Sequence, residues 1–368
     1  MIQGKVIKPP HRPGPHKKEP DISQKPPPSA SEMSENTVRP LEDAGYYWDY
    51  PGRQMIYFKS PLRPPTDDRF RPKERRSDAL SLLESLPFEI IYMVFNNLDF
   101  QSLEVLRRLS FRTREVVHSF PAHQDMTARA PDVLRALSHI GIISHFTAAR
   151  LSGALYADRC VVCNDFGPYL FLLTLSRCCL NCLDNDLRLR VTTIPEAMTC
   201  YGLTKNDLRS LLTGQDLSRP DERKGVRYVS ADDARALGIA THGSAEAMDH
   251  FSRAEFERKT VEYESGRRAT KPRSLALNSH DPRDRNQYDV STAFPYFDPG
   301  SKRVELGIWC KGCKDRRPGY GDVDKAEQRT KLQKAKDKAF SEAEFLKHYE
   351  ECEFAKKPDD FWMRLKLL

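Results

Sequence analysis

The stretch Leu86-Pro87-Phe88-Glu89-Ile90-Ile91-Tyr92-Met93-Val94-Phe95 sets the fold class. A proline near its start suits a first helical turn, where the missing N–H has no intrahelical partner to lose. Ile90, Ile91, Val94, Phe95 and Leu98 then recur at helical spacing. Asp99 is placed to cap a second helix carrying Leu103 and Leu106, and a basic stretch (Arg107, Arg108, Arg112, Arg114) supplies a third. Further on, Pro131 opens a helix holding Val133, Leu134 and Leu137, Gly141 ends it, and Thr147 caps the next. The text from Ala79 to about Leu155 is therefore helical.

Upstream the composition changes. Of the 26 prolines, 14 precede residue 76, and residues 1–40 show almost no apolar periodicity, so a disordered tail is expected over 1–78. An aromatic island at 46–58 (Tyr46-Tyr47-Trp48-Asp49-Tyr50, a Pro51-Gly52 turn, then Arg53 to Phe58) reads as a linear segment that folds against something else, since a lone hairpin is marginal. Downstream, Thr204 with Asp207, Ser230 with Asp233 and Ser252 with Glu255 mark three helix starts by their Ser/Thr-x-x-acid pattern. Residues 263–305 show little pattern and read as an exposed linker, and Asp322 to Ala339 reads as a solvated charged helix.

The nine cysteines all lie at or beyond residue 160. The amino terminus lacks an apolar secretory core, and no run approaches the ~20 apolar residues that cross a bilayer, so an intracellular protein, cytoplasmic or nuclear, is expected. There, paired cysteines read as metal ligands rather than disulfides. Cys160-x2-Cys163, fifteen residues, then Cys179-x2-Cys182 has zinc-ribbon spacing: each pair makes a tight knuckle, and two knuckles give the tetrahedral thiolate shell that Zn2+ favours. The intervening Phe166 to Leu173 suits a hairpin with the sulfurs at its base. Cys178 competes with Cys179 for the ligand position; Cys179 is preferred, with Cys178 buried beside it and Cys200 a small core residue. A second set combines Cys310 and Cys313 with His348 and Cys352, which are four apart on a helix begun by a Ser341–Glu344 capping box and carrying Phe345. Four protein ligands leave no open coordination position, so both sites are expected to be structural.

Residues 84–120 resemble an F-box in Leu86-Pro87-x-Glu89-Ile90, Val94, Phe95, Leu98-Asp99, Leu103, Leu106-Arg107, Ser110 and Arg114. The resemblance extends to a fungal group of F-box proteins through Ala130-Pro131-Asp132-Val133-Leu134-Arg135-Ala136, the first cysteine cluster, Trp309-Cys310-Lys311-Gly312-Cys313 and Phe345-Leu346-x-His348-x3-Cys352. It implies docking to a Skp-family adaptor and, through it, a cullin scaffold, with Leu86, Pro87, Glu89, Ile90, Val94, Phe95, Leu98, Leu103 and Leu106 as the adaptor-binding residues. It names no protein substrate.

These readings combine into a mostly α fold. An F-box three-helix motif (79–122) continues into a helical region (123–262) containing a zinc-ribbon-like β-hairpin module (160–182). After the 263–305 linker comes a C2HC-like knuckle plus helix (306–368). The function expected is that of a non-catalytic adaptor, the substrate-recognition subunit of an SCF-type ubiquitin ligase. Gly-x-Ser-x-Gly, P-loop, Gly-x-Gly-x-x-Gly and His-Glu-x-x-His patterns are all missing from the sequence. A net charge of +7 permits nucleic-acid contact, but the Arg267 to Arg285 stretch lacks stacking aromatics, so the alternative of a zinc-stabilised nucleic-acid binder is less favoured. A third reading is an F-box protein acting outside any ligase.

Overall fold

The computed structural model describes residues 44–46, 86–211, 214–215, 227–269, 271, 286–315 and 325–356. Of the tail expected to be disordered over 1–78, only residues 44–46 are among them, and these are ordered, with Gly45–Tyr46 in a strand; the rest of that span, including all but the first residue of the aromatic island, lies outside the described residues.

A short strand, β1 (Gly45–Tyr46), is followed by six helices: α1 (Phe88–Asn96), α2 (Phe100–Leu109), α3 (Phe111–Ser119), α4 (Pro121–Arg129), α5 (Pro131–His139) and α6 (Ala148–Leu155). Their starts follow from local chemistry. Asp99 Oδ1 accepts the Ser102 N–H at 2.9 Å, Ser110 and Thr113 form a reciprocal capping box, and Thr147 Oγ1 accepts the Arg150 N–H. Pro121 and Pro131 each stand at the first helical position. Pro87 sits one residue before α1, at its N-cap. The helices α1 to α6 share one core with the segment that follows, centred on Phe95, Phe100, Leu103, Val117, Phe120, Met126, Leu137 and Leu151.

That segment is a hairpin, β2 (Tyr169–Phe171) with β3 (Ser176–Cys178), then α7 (Leu180–Asn185). Next come β4 (Val191–Thr193), α8 (Ile194–Cys200), β5 (Gly214–Gln215), β6 (Arg227–Ser230), α9 (Ala231–His242) and α10 (Ala245–Glu264), where an antiparallel β4-β6-β5 sheet and its helices enclose a second core around Ala197, Val229, Ala234 and Met248. Ser230 caps α9 as expected. Two other starts are corrected. Thr204 and Asp207 exchange hydrogen bonds but begin only a 3-10 turn at Asp207–Ser210. Ser252 lies inside α10, which begins after Ser244, and its hydroxyl donates to the Cys200 carbonyl at 2.7 Å.

The expected linker over 263–305 is also corrected. From Asn286 the chain forms a 3-10 turn, then β7 (Ser291–Ala293), β8 (Tyr296–Asp298) and β9 (Arg303–Glu305). β7 joins the hairpin to make an antiparallel β3-β2-β7 sheet, and Tyr288, Val290, Phe294 and Phe297 enter the main core. Strands of three residues are too short to show a period in the sequence. The remainder is β10 (Trp309–Cys310), α11 (Lys311–Asp315), α12 (Lys325–Asp337) and α13 (Glu342–Glu351). The fold is mostly helical with small antiparallel sheets, and no helix among the described residues is long and apolar enough to cross a membrane.

One ion-pair network inside the F-box-like helices titrates. Glu104 accepts from Arg107 Nε at 2.9 Å and lies 3.2 Å from His123 Nε2, whose ring stacks on Phe100. Burial pushes the Glu104 carboxyl up, but the His123 and Arg107 hydrogen bonds outweigh it and hold the group at about 2. A depressed carboxylate contributes stability above its ordinary value of 4.5 and loses it as pH falls toward about 2. Wild type should therefore exceed Glu104→Gln in thermal stability above pH 4.5, with the gap closing toward pH 2 in paired melting curves. A gap that does not depend on pH refutes this.

Candidate functional site

Three arrangements carry chemistry. The first is the outer face of α1. Ile90 and Val94, at i and i+4, share one side of the helix, Leu86 lies just before it, and all three are exposed. Phe88 and Met93 are exposed on the same helix, Met93 by 63%. Val105, Leu109 and Phe111 are exposed on the next two helices. A groove lies alongside, lined chiefly by Leu86, Phe88, Ile91, Phe95, Leu106 and Val116, and Arg112 sits 5.4 Å over the Phe88 ring at its rim. Such a concentration of large apolar side chains in solvent is the mark of an interaction surface.

The residues expected to bind an adaptor divide between surface and interior. Leu86, Pro87, Glu89, Ile90 and Val94 are exposed, while Leu98 and Leu106 are half-buried against the core. Phe95 and Leu103 face inward, Leu103 with no exposed surface, and are corrected to core residues that hold the helices in place. Phe88, Met93, Val105, Leu109 and Phe111, which the sequence reading did not single out, are exposed as well.

The second arrangement is the cluster Cys160, Cys163, Cys179 and Cys182, whose sulfurs lie within 4.8 Å of one another. β2 and β3 bring the two pairs together at the hairpin base, with Cys163 Sγ 3.6 Å from Cys179 Sγ. Both knuckles aim backbone N–H groups at sulfur: Val162 donates to Cys160 and Cys182 to Cys179, each at 3.4 Å. These donors favour the thiolate form that binds metal. The Cys179 hydrogen bond draws Cys160 down to about 5, while the hydrogen bond to Cys160, together with burial, pushes Cys179 up. Binding an ion would displace the protons these thiols still carry. Cys178, beside Cys179, is a strand residue opposite Tyr169, fully buried outside the cluster, and burial pushes its thiol well up. Cys200 is half-buried against the second core, and burial raises it to about 11.

The third is Cys310, Cys313, His348 and Cys352, grouped within the same limit. Cys310 ends β10, and its sulfur accepts the Cys313 N–H at 3.4 Å. Cys313 Sγ lies 3.5 Å from His348 Nε2 and 3.8 Å from Cys352 Sγ. The Ser341–Glu344 capping box starts α13, and Cys352 follows as its C-cap, still donating its N–H to the His348 carbonyl at 2.8 Å. Phe340 stacks on the His348 ring at 4.5 Å, and Phe345 is buried beneath. Gly312 is required here, because a Cβ would run into the backbone of Phe354 and Ala355. The Cys313 hydrogen bond draws Cys310 down to about 4.

The two cysteine sites adjoin. Arg159 pairs with both Asp158 and Glu344, Lys338 Nζ meets Asp165 at 2.7 Å, and the Phe166 ring packs at Gly307. Both clusters have the ligand chemistry and spacing to hold a metal ion.

The family model described as the F-box domain matches residues 83–125 of this chain, which contain α1, α2, α3 and the start of α4. No curated protein matches the chain, and no solved structure does.

Proposed function

We propose that this protein is a non-catalytic F-box adaptor, the substrate-recognition subunit of an SCF-type ubiquitin ligase acting in the cytoplasm or nucleus. The observation that carries the reading is the exposure of Leu86, Ile90 and Val94 beside an apolar groove, inside the segment matched by the F-box domain. A Skp-family adaptor covers these residues and joins the protein to a cullin scaffold. The region beyond α4 presents or recognises the protein substrate, and Zn2+ in the two cysteine sites takes a structural part.

The test is binding of a purified Skp-family adaptor. Ile90→Asp with Val94→Asp places two charges on the docking face and should weaken binding roughly tenfold or more, equivalent to about 1.4 kcal/mol. Because both positions are exposed, the melting temperature should hardly move. Leu103→Ala should do the reverse, costing ~2–5 kcal/mol of stability through a core cavity while the folded fraction still binds. A wild-type chain that ignores the adaptor refutes the reading.

A further inference from the structure

We propose that the Cys310–Cys313–His348–Cys352 site is a latch for the amino-terminal part of the chain: residues 44–46 complete its core, so metal occupancy and retention of that segment are linked. The proposal rests on the reading of this cluster as a metal site.

Three residues far from the site in sequence reach it. Ala44 is 1% exposed and packs in the same small core as Cys310, Cys313, Phe345 and Cys352. Gly45 and Tyr46 pair antiparallel with β10, which places Gly45 opposite the ligand Cys310 and Tyr46 opposite Trp309. The Tyr46 and Trp309 rings are 6.4 Å apart, and Lys314 Nζ stands 4.5 Å over the Tyr46 ring.

Neither part is self-sufficient. Ordering a two-residue strand costs backbone entropy that so short a ladder does not offset. The knuckle it covers consists of another two-residue strand and a five-residue helix. Metal and strand stabilise the same knuckle, so each raises the affinity for the other by one common factor. A loaded site holds Tyr46 at the carboxy-terminal module, and loss of the ion frees it.

The experiment uses the full-length chain and cobalt(II), whose absorption bands separate a four-thiolate site from a site with three thiolates and one imidazole. Ala44→Asp with Gly45→Pro should weaken cobalt binding at the second site roughly tenfold or more, within the usual range of such couplings. The four-thiolate site should keep its affinity and so report that the protein remains folded. Reciprocally, Cys352→Ser should accelerate amide hydrogen exchange at 44–46 by a similar factor. Unchanged cobalt affinity in the strand variant, or unchanged exchange in Cys352→Ser, overturns the latch while leaving the metal site standing. A wild-type chain that takes no cobalt at the second site overturns both.

Discussion

Removing metal with a strong chelator is expected to lower the thermal midpoint of the full-length protein by about 10 °C or more. The size follows from where the first cluster sits. Cys160, Cys179 and Cys182 are buried in the main core, and their hairpin contributes Leu170, Phe171 and Leu172, none with any exposed surface. Leu180 within the second knuckle and Leu183 directly after it, both on α7, are equally buried. Without an ion, four sulfurs brought within 4.8 Å retain only weak thiol contacts, and those that ionise repel one another. Structural zinc in isolated fingers contributes ~10–16 kcal/mol. Losing even a few of these, at ~2–4 °C per kcal/mol for a domain of this size, gives the stated shift. Elemental analysis should find two zinc ions per chain, and one in Cys179→Ser. Cys178→Ala and Cys200→Ala should retain both, because neither sulfur belongs to a cluster. A midpoint indifferent to chelation removes the structural role.

The parts of this architecture that sequence disclosed are those governed by neighbours in the chain. Asp99, Thr147, Ser230 and Ser341 cap helices through bonds reaching three residues, and all four were legible. The two clusters were legible for a related reason, since a Cys-x2-Cys knuckle is a local device even when its partner pair is distant. Facing was less accessible. Ile90, Ile91, Val94 and Phe95 announce a helix, but which two turn outward depends on the packing of α1 against Phe120 and its neighbours. Strand β7 was hidden more deeply. Ser291-Thr292-Ala293 has no apolar signature, and it is a strand because β2 offers it an open edge. Ser252 resembled a cap because the pattern is the same wherever it falls. Only the continuing helix, and the Cys200 carbonyl that takes the hydroxyl, decide otherwise.

Arg177 was the least legible residue of all, and its replacement by alanine should be among the most damaging single changes, costing ~3–5 kcal/mol through the acceptors it leaves unsatisfied. It lies in β3 beside the second knuckle and is 2% exposed. Its guanidinium donates only to backbone carbonyls: Nη1 to Gly167 at 2.7 Å and Phe294 at 3.0 Å, Nη2 to Ala154 at 3.0 Å and Pro295 at 2.7 Å. It also stacks 4.5 Å from the Phe294 ring. Burial pulls the group down to about 10, which leaves it charged at neutral pH. One side chain thereby fastens the end of α6, the turn before β2 and the β7–β8 connection to the hairpin that carries the cysteines. Alanine would strand these acceptors in the core, at ~1–3 kcal/mol for each one left without a donor or water. Arg177→Lys keeps the charge but not the planar fork, so it should fall between the two in urea unfolding. Gly167 provides a second handle, because a Cβ there would meet the Arg177 Cγ at 2.7 Å. Gly167→Ala and Arg177→Ala should therefore be non-additive in a double-mutant cycle, each already disturbing what the other removes. Simple additivity, or an Arg177→Ala unfolding midpoint equal to wild type, would mean that the carbonyls find water and that the strands are held by apolar packing alone.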